Sequence, residues 1–439
     1  MTAFMGSAIN VALPVMGKEF NAGSVLLSWF ATAYLLTTAI LLIPSGKLSD
    51  IYGRALFMKI GMIIFTIGTF LCGLSKSGEQ LIVFRLLQGI GSAFMFVTVT
   101  AILVSIFPFS ERGKVLGINI GSVYVGLSSG PFIGGLIVHN FGWRYIFFGT
   151  FGLGIIIIIF LFIYLKAEWK ESETDKFDIK GSLIYVLSLT LVMLGFTFLP
   201  KYYGFLLLGS GIIILILFYF FERKLQYPVI NVNIFKTSRT FTFSNLSALI
   251  NYSATSAVAF LMSIYLQNVK GYSAQDAGII LVSQPIIMAV FSPLAGRLSD
   301  RIEPRKLASA GMILTTIGTI ILAMLNENTE LYLIIINLVI LGFGFALFSS
   351  PNTHAIMSSV EKNYYGTASS VLASMRLVGQ LLSMGVVIVI FSVLIGGREI
   401  TINNQSQFIT SMHIAFTIFS ILSFFGIFAS LARGKIHNN

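Results

Sequence analysis

The stretch Gly46-Lys47-Leu48-Ser49-Asp50-Ile51-Tyr52-Gly53-Arg54-Ala55-Leu56-Phe57 lies between two long apolar runs, and it recurs later in the chain. At Gly296 the sequence reads Gly-Arg-Leu-Ser-Asp-Arg-Ile-Glu-Pro-Arg-Lys, and the echo carries into the run that follows. Gly61-Met62-Ile63 returns as Gly311-Met312-Ile313, and Thr66-Ile67-Gly68-Thr69 as Thr316-Ile317-Gly318-Thr319, always at an offset of 250 residues. A repeat of that length in an apolar chain predicts two similar helical halves with a path between them.

The surrounding composition agrees. Hydrophobic residues make up 56% of the 439 residues and charged residues 10%, with a mean hydropathy of +0.89. A water-soluble domain needs more surface charge than this, so the chain reads as an all-α polytopic membrane protein. With ~20 apolar residues per span, fourteen runs qualify: 1–16, 25–45, 57–75, 80–106, 115–138, 144–165, 179–200, 203–221, 241–267, 275–295, 306–325, 331–351, 367–395 and 408–432. The first is read as a span and not as a signal peptide, because no small-residue cleavage site leads into a soluble region. Cys72 is the single cysteine and lies within an apolar run, which excludes an internal disulfide and a Cys-based metal site.

Charge placement orients the chain. If both termini are cytoplasmic, the inner connections hold twenty Lys and Arg and the outer ones six, with Arg85 and Arg376 inside spans. The net charge of +11 is then topology plus affinity for anionic lipid, not a nucleic-acid footprint. The repeated loop joins spans two and three, then ten and eleven. Residues 1–166 therefore form one six-helix bundle, 240–439 a second, and 167–239 a polar connection with two extra spans.

Four segments carry a family likeness. Gly46–Phe57 keeps Asp50, Gly53 and Arg54 of a cytoplasmic signature; Arg85-Leu86-Leu87-Gln88-Gly89 matches a fourth-span motif. Gly117, Gly126, Gly130-Pro131 and Gly134-Gly135 match a fifth-span antiporter motif, and Asn10-Val11-Ala12-Leu13-Pro14 a first-span motif. On these the chain resembles transporters of the major facilitator superfamily, in particular the fourteen-span drug:proton antiporters of the EmrB/QacA type. The resemblance implies two pseudo-symmetric six-helix bundles plus two inserted helices, working as a monomer in the plasma membrane. It also implies export of an amphipathic small molecule against a coupling proton. A native metabolite, peptide or lipid as cargo, or a non-transporting membrane sensor or accessory protein, are the alternatives.

Each motif also has a physical reading. Asp50 can sit against the positive end of a neighbouring helix while Arg54, four residues on, pairs with it. With Gly46 and Gly53, and with Asp300 and Arg301 in the second copy, it forms the expected conformational gate. Glu303-Pro304 stands where Tyr52-Gly53 stood, so the second turn must differ. Gly126, Gly130 and Gly134 share one helix face and admit a close neighbour; Pro131 favours a bend. Arg85 and Gln88, and Arg376 near the bilayer midplane, are the coupling candidates, since an embedded cation is costly and usually functional. Arg85, ~8 Å below the outer end of its span, is also within reach of the interface by snorkelling. Tyr34, Tyr124, Asn251, Tyr265, Gln284 and Asn352 are the expected cavity lining.

All seventeen Asp and Glu residues lie at span ends or in connections. The family's first-span motif carries an Asp five residues before its Asn, where this chain has Met5. With no embedded carboxylate to neutralise a cation, a neutral, zwitterionic or anionic lipophilic substrate fits best. His413, about five residues into the last span, reads as a hydrogen-bonded structural histidine. No phosphate loop, zinc motif or nucleophile elbow occurs. The chain is not expected to be an enzyme or to need a cofactor.

Overall fold

The computed structural model describes residues 1–107, 109–170, 177–225, 228–230, 232, 234–360 and 365–434. The described residues are helical, without strands. The long helices of the first part are α1 (Thr2–Phe20), α2 (Ser24–Tyr52), α3 (Arg54–Gly73), α4 (Gly78–Ile106), α5 (Phe109–Asn140) and α6 (Arg144–Tyr164). A middle pair follows, α7 (Ile179–Phe198) and α8 (Tyr202–Glu222). The remainder comprises α9 (Arg239–Val269), α10 (Ala274–Leu298), α11 (Pro304–Leu322), α12 (Leu331–Ser358), α13 (Tyr365–Leu394) and α14 (Gln405–Leu431).

Thirteen of these are long and apolar enough to cross a bilayer. The fourteenth, α1, carries Asn10, Lys18 and Glu19 and is too polar to qualify on its own. It is shielded instead by α5 and α9, and buries Met5, Ala8, Val11, Ala12 and Leu13.

The sequence repeat has a counterpart in packing. In the first part α3 packs on α4, α2 on α4, α1 on α5 and α3 on α6. The second part repeats the set eight helices later: α11 on α12, α10 on α12, α9 on α13 and α11 on α14. Two joints connect the parts along their length, α2 with α13 and α5 with α10, while α7 leans on both α2 and α13. Apolar side chains on α6 and α8, among them Ile156, Ile159, Ile213 and Leu217, face outward as lipid-facing surface should.

Call the end that holds Asp50 and Asp300 the latch end, and the other the far end. At the far end the parts are pinned together. The Ser24 N–H donates to the Arg398 carbonyl at 2.9 Å, Ser263 Oγ to the Asn10 carbonyl at 2.6 Å, and Gln267 Nε2 to the Val11 carbonyl at 3.0 Å. Helix α9 is interrupted at Ser256–Ala257, and the freed Ala257 N–H is taken by Ser383 Oγ at 3.1 Å. In a bilayer such a break survives only where a neighbour supplies the missing partner.

The α5–α10 joint is backbone on backbone. A Cβ at Gly278 would stand 2.2 Å from the Pro131 carbonyl oxygen, and one at Gly135 would stand 2.6 Å from that of Ala274. Gly278→Val should therefore cost about 1–3 kcal/mol by overpacking, read as a fall in melting temperature in detergent. Gly6→Ala, with nothing within 4 Å of its added methyl, should leave the melt unchanged.

Candidate functional site

Arg85 lies inside the first part and is 1% exposed, so the snorkelling expectation is corrected. Its Nε donates to the Phe30 carbonyl at 3.0 Å and its Nη1 to Gln88 Oε1. Gln88 in turn donates to Thr69 Oγ1 at 2.7 Å. The guanidinium stands 4.5 Å from the centre of the Tyr34 ring, and the Tyr34 hydroxyl bonds Ser92 Oγ at 2.6 Å. The neutral network solvates the cation in place of water, using carbonyl, amide and aromatic face together. Tyr34 is thus engaged between α2 and α4.

Arg376 on α13 is held more loosely. Its Nη2 donates to Thr353 Oγ1 at 2.9 Å, its guanidinium stands 5.6 Å from the Tyr252 ring centre, and its Nε is buried without a partner. No ion pair reaches it among the described residues. Tyr252 meets Phe345 edge-on at 5.4 Å. Tyr124 of α5 packs on the same cluster with Met288, so one side chain of the first part reaches the second here.

Two amides that neighbour members of this cluster in the chain are unsatisfied. Both polar atoms of Asn251 and the Oδ1 of Asn352 are buried without partners, although each residue is at most 1% exposed. Buried amides of that kind ordinarily have a water or a ligand. The structure thus brings Tyr124 of α5, Tyr252 of α9 and Arg376 of α13 together, with Asn251 next to Tyr252 in the chain and Asn352 next to Thr353 on α12. Gln284 lies on α10, its carbonyl 2.5 Å from where a Cβ at Gly342 would stand. Tyr265 is elsewhere: its hydroxyl donates to the Asn326 carbonyl at 2.7 Å, at the far end. His413 bonds the Leu325 carbonyl, also at the far end.

At the latch end Arg54 binds Asp50 Oδ1 twice, through Nη2 at 2.8 Å and Nε at 2.9 Å. Its Nη1 also reaches Ser105 Oγ of α4 at 2.9 Å. Gly53 turns the chain with φ +129°, while Gly46 is uncrowded, its nearest Cβ contact being Val97 at 3.8 Å. The carboxylate at the positive end of α3 is not Asp50, however, but Glu168, which accepts the Ala55 N–H at 2.7 Å and the Leu56 N–H at 3.0 Å. Nothing in the sequence singles out Glu168, since no periodicity links it to a helix more than a hundred residues earlier. In the second copy Asp300 and Arg301 are exposed and form no pair like Asp50–Arg54. Asp300 instead faces His354 at 3.9 Å.

The fifth-span glycines serve two neighbours. Added Cβ atoms at Gly126, Gly130 and Gly134 would meet Ala3, Ser7 and Ala8 of α1, whereas Gly135 faces α10. Gly117 lies in the part of α5 whose side-chain surroundings are outside the described residues. Met5 points into the first part, where Thr150 Oγ1 approaches its sulfur at 3.3 Å.

Residues 1–238 and 244–437 match the Major Facilitator Superfamily, and the chain belongs to it. It is 34% identical over 377 residues to the riboflavin transporter RibZ of Clostridioides difficile, covering 86% of this chain and 82% of RibZ. It is 29% identical over 386 residues to the multidrug transporter MdtP of Bacillus subtilis, covering 86% and 70%. Among solved structures it resembles a bacterial homolog of the human lysosomal transporter Spinster, with a TM-score of 0.66 and 20% identity over 98% of this chain and 94% of that one. The fold is that of a transporter, and no catalytic family is indicated.

The two arginines should respond differently to Arg→Lys. One ammonium cannot serve Phe30, Gln88 and the Tyr34 face together, so Arg85→Lys should cost about 2–4 kcal/mol of stability. Arg376→Lys, at a half-satisfied site, should change the melt by less than about 1 kcal/mol. Thermal unfolding of both variants checks the contrast.

Proposed function

We propose that the chain is a secondary transporter moving amphipathic, aromatic, neutral or anionic compounds by alternating access, exporting them in exchange for protons. The observation that supports this best is Arg376. It is a cation near mid-helix whose Nε is buried without a hydrogen-bond partner, beside the Tyr252 ring and Thr353, and no carboxylate forms an ion pair with it among the described residues. Such a site offers charge and hydrogen bonds to a solute and repels an organic cation.

The wider reading is that of a monomeric, fourteen-span antiporter of the multidrug group in the plasma membrane. Its bundles are 1–166 and 240–439, the insert is 167–239, and both termini and the latch end are cytoplasmic. The far-end contacts then close the outside, as expected of a state open inward, and Asp50–Arg54 biases the exchange between states. Gly135 and Pro131 on α5 seal against leak.

A second reading, a native metabolite as cargo, is favoured by the higher identity to RibZ, 34% against 29% for MdtP. A neutral flavin-like ring with an imide edge suits buried amides beside an aromatic face.

Proteoliposomes test both. Riboflavin and an anionic lipophilic dye are offered to vesicles with an acidic lumen, with and without a protonophore. Accumulation that the protonophore abolishes supports proton antiport; accumulation of riboflavin alone selects the metabolite reading. Arg376→Ala should lower dye transport about tenfold or more, equivalent to ~1.4 kcal/mol. Asp50→Asn should stop flux of either compound while leaving the melting temperature within about 2 °C of the parent. No flux of any solute under any gradient would overturn the transporter reading.

A further inference from the structure

The inserted pair α7–α8 holds the most deeply buried acid among the described residues. Glu222, the last residue of α8, is 1% exposed. One of its oxygens, Oε2, accepts the Ile230 N–H at 3.0 Å. Asp178 caps the start of α7, its Oδ1 accepting the Gly181 N–H at 3.0 Å. The remaining oxygen of each acid, Glu222 Oε1 and Asp178 Oδ2, is buried and has no donor.

These two oxygens converge. A Cβ at Gly181 would stand 2.1 Å from Asp178 Oδ2 and 2.2 Å from Glu222 Oε1, so only glycine leaves them room to meet. Two acceptors turned toward each other repel unless a proton lies between them, and a second negative charge in a water-poor site is costly.

Among the described residues no cation forms an ion pair with either acid, and Lys180 on α7 and Arg223 and Lys224 after α8 are exposed. Residues 228–230 bring no charge. On α2, packed against α7, the charged groups toward this end are Lys47 and Asp50, and Asp50 is held by Arg54. On α13, also packed against α7, Arg376 is bound to Thr353. Tyr185, the other titratable group on α7, directs its hydroxyl to the Ala39 carbonyl at 3.4 Å.

We propose that Asp178 and Glu222 form a proton-binding site, in which two carboxyl groups share one proton at the latch end of the inserted helix pair. The bound proton joins the end of α8 to the start of α7, while Glu222 also holds the strap at Ile230. Because the folded chain binds a proton there that the unfolded chain releases more readily, raising the pH removes stability and lowering it restores stability. The site is independent of what the chain carries.

Infrared difference spectroscopy on the full chain in lipid nanodiscs tests this, with the sample titrated from about pH 5 to about pH 9. The proposal expects a protonated-carboxyl C=O band that disappears as the pH rises, is missing from Glu222→Gln and is displaced in Asp178→Asn. Melting temperature should fall by about 2 °C or more over the same range in the parent and stay flat in Glu222→Gln, whose amide can donate to Asp178 without a proton. Gly181→Ala should abolish the band by parting the acids. Should Glu222→Gln not fold, the band displacement in Asp178→Asn and the titration of the parent decide in its place. A parent without a titrating carboxyl band, or a band indifferent to both variants, overturns the proposal. So does a band that added Na⁺ removes while raising stability, which would make the pair a cation site.

Discussion

Everything in this molecule depends on how closely α5 lets two other helices approach. A helix inside a bilayer gains little from burying apolar surface, because lipid is as apolar as leucine, so association rests on backbone proximity. One helix here meets that need on two faces. The face bearing Gly126, Gly130 and Gly134 admits α1, and Gly135 with the Pro131 carbonyl receives α10 of the other part. Because α1 is too polar to stand alone as a span, its place depends on the first face. The closure of the far end depends on the second. A side chain added to either would shift α5 and disturb both contacts.

That rigid far end throws the contrast between the two embedded arginines into relief. Arg85 sits among partners that engage both its Nε and an Nη and cover its face: a carbonyl, a glutamine whose own amide is engaged, and a tyrosine ring. Arg376 keeps an unpartnered Nε, with one hydrogen bond to Thr353 and the Tyr252 ring beside it. Unmet buried polar groups cost free energy that an added hydrogen-bond partner recovers, so the two cations differ in how far their own neighbours satisfy them. Tyr124 meets the Tyr252–Phe345 cluster, so a side chain of the first part touches the second beside Arg376.

Much of this was legible in the chain itself. The 250-residue echo and the run of apolar segments foretold the paired helical halves, because spans announce themselves through length and composition. The spacing of four between Gly126, Gly130 and Gly134 foretold a close neighbour, though not which helix. Long-range side-chain partnerships were beyond it. Tyr34 and Tyr265 looked alike as tyrosines within spans, yet one covers Arg85 and the other ties off the connection after α11. Glu168 and the Asp178–Glu222 pair were hidden for a different reason. They belong to polar connections, where no periodicity constrains the fold, and their roles arise only from which helix ends meet there.

The two copies of the repeated loop show how a shared motif can part in structure. In the first, a single residue separates α2 from α3, and Gly53 at φ +129° makes that turn possible. Arg54 is then the first residue of α3 and falls back onto Asp50 one helical turn earlier. In the second copy Glu303 and Pro304 replace that geometry. Proline, at the first position of α11, fixes its own φ and biases the residue before it toward extended backbone. The chain therefore needs the longer turn through Ser299–Glu303, which leaves Asp300 exposed and opposite His354. The pairing that stiffens one hairpin is unavailable to the other, and Glu168 fastens the connection that follows α6 to the first hairpin alone.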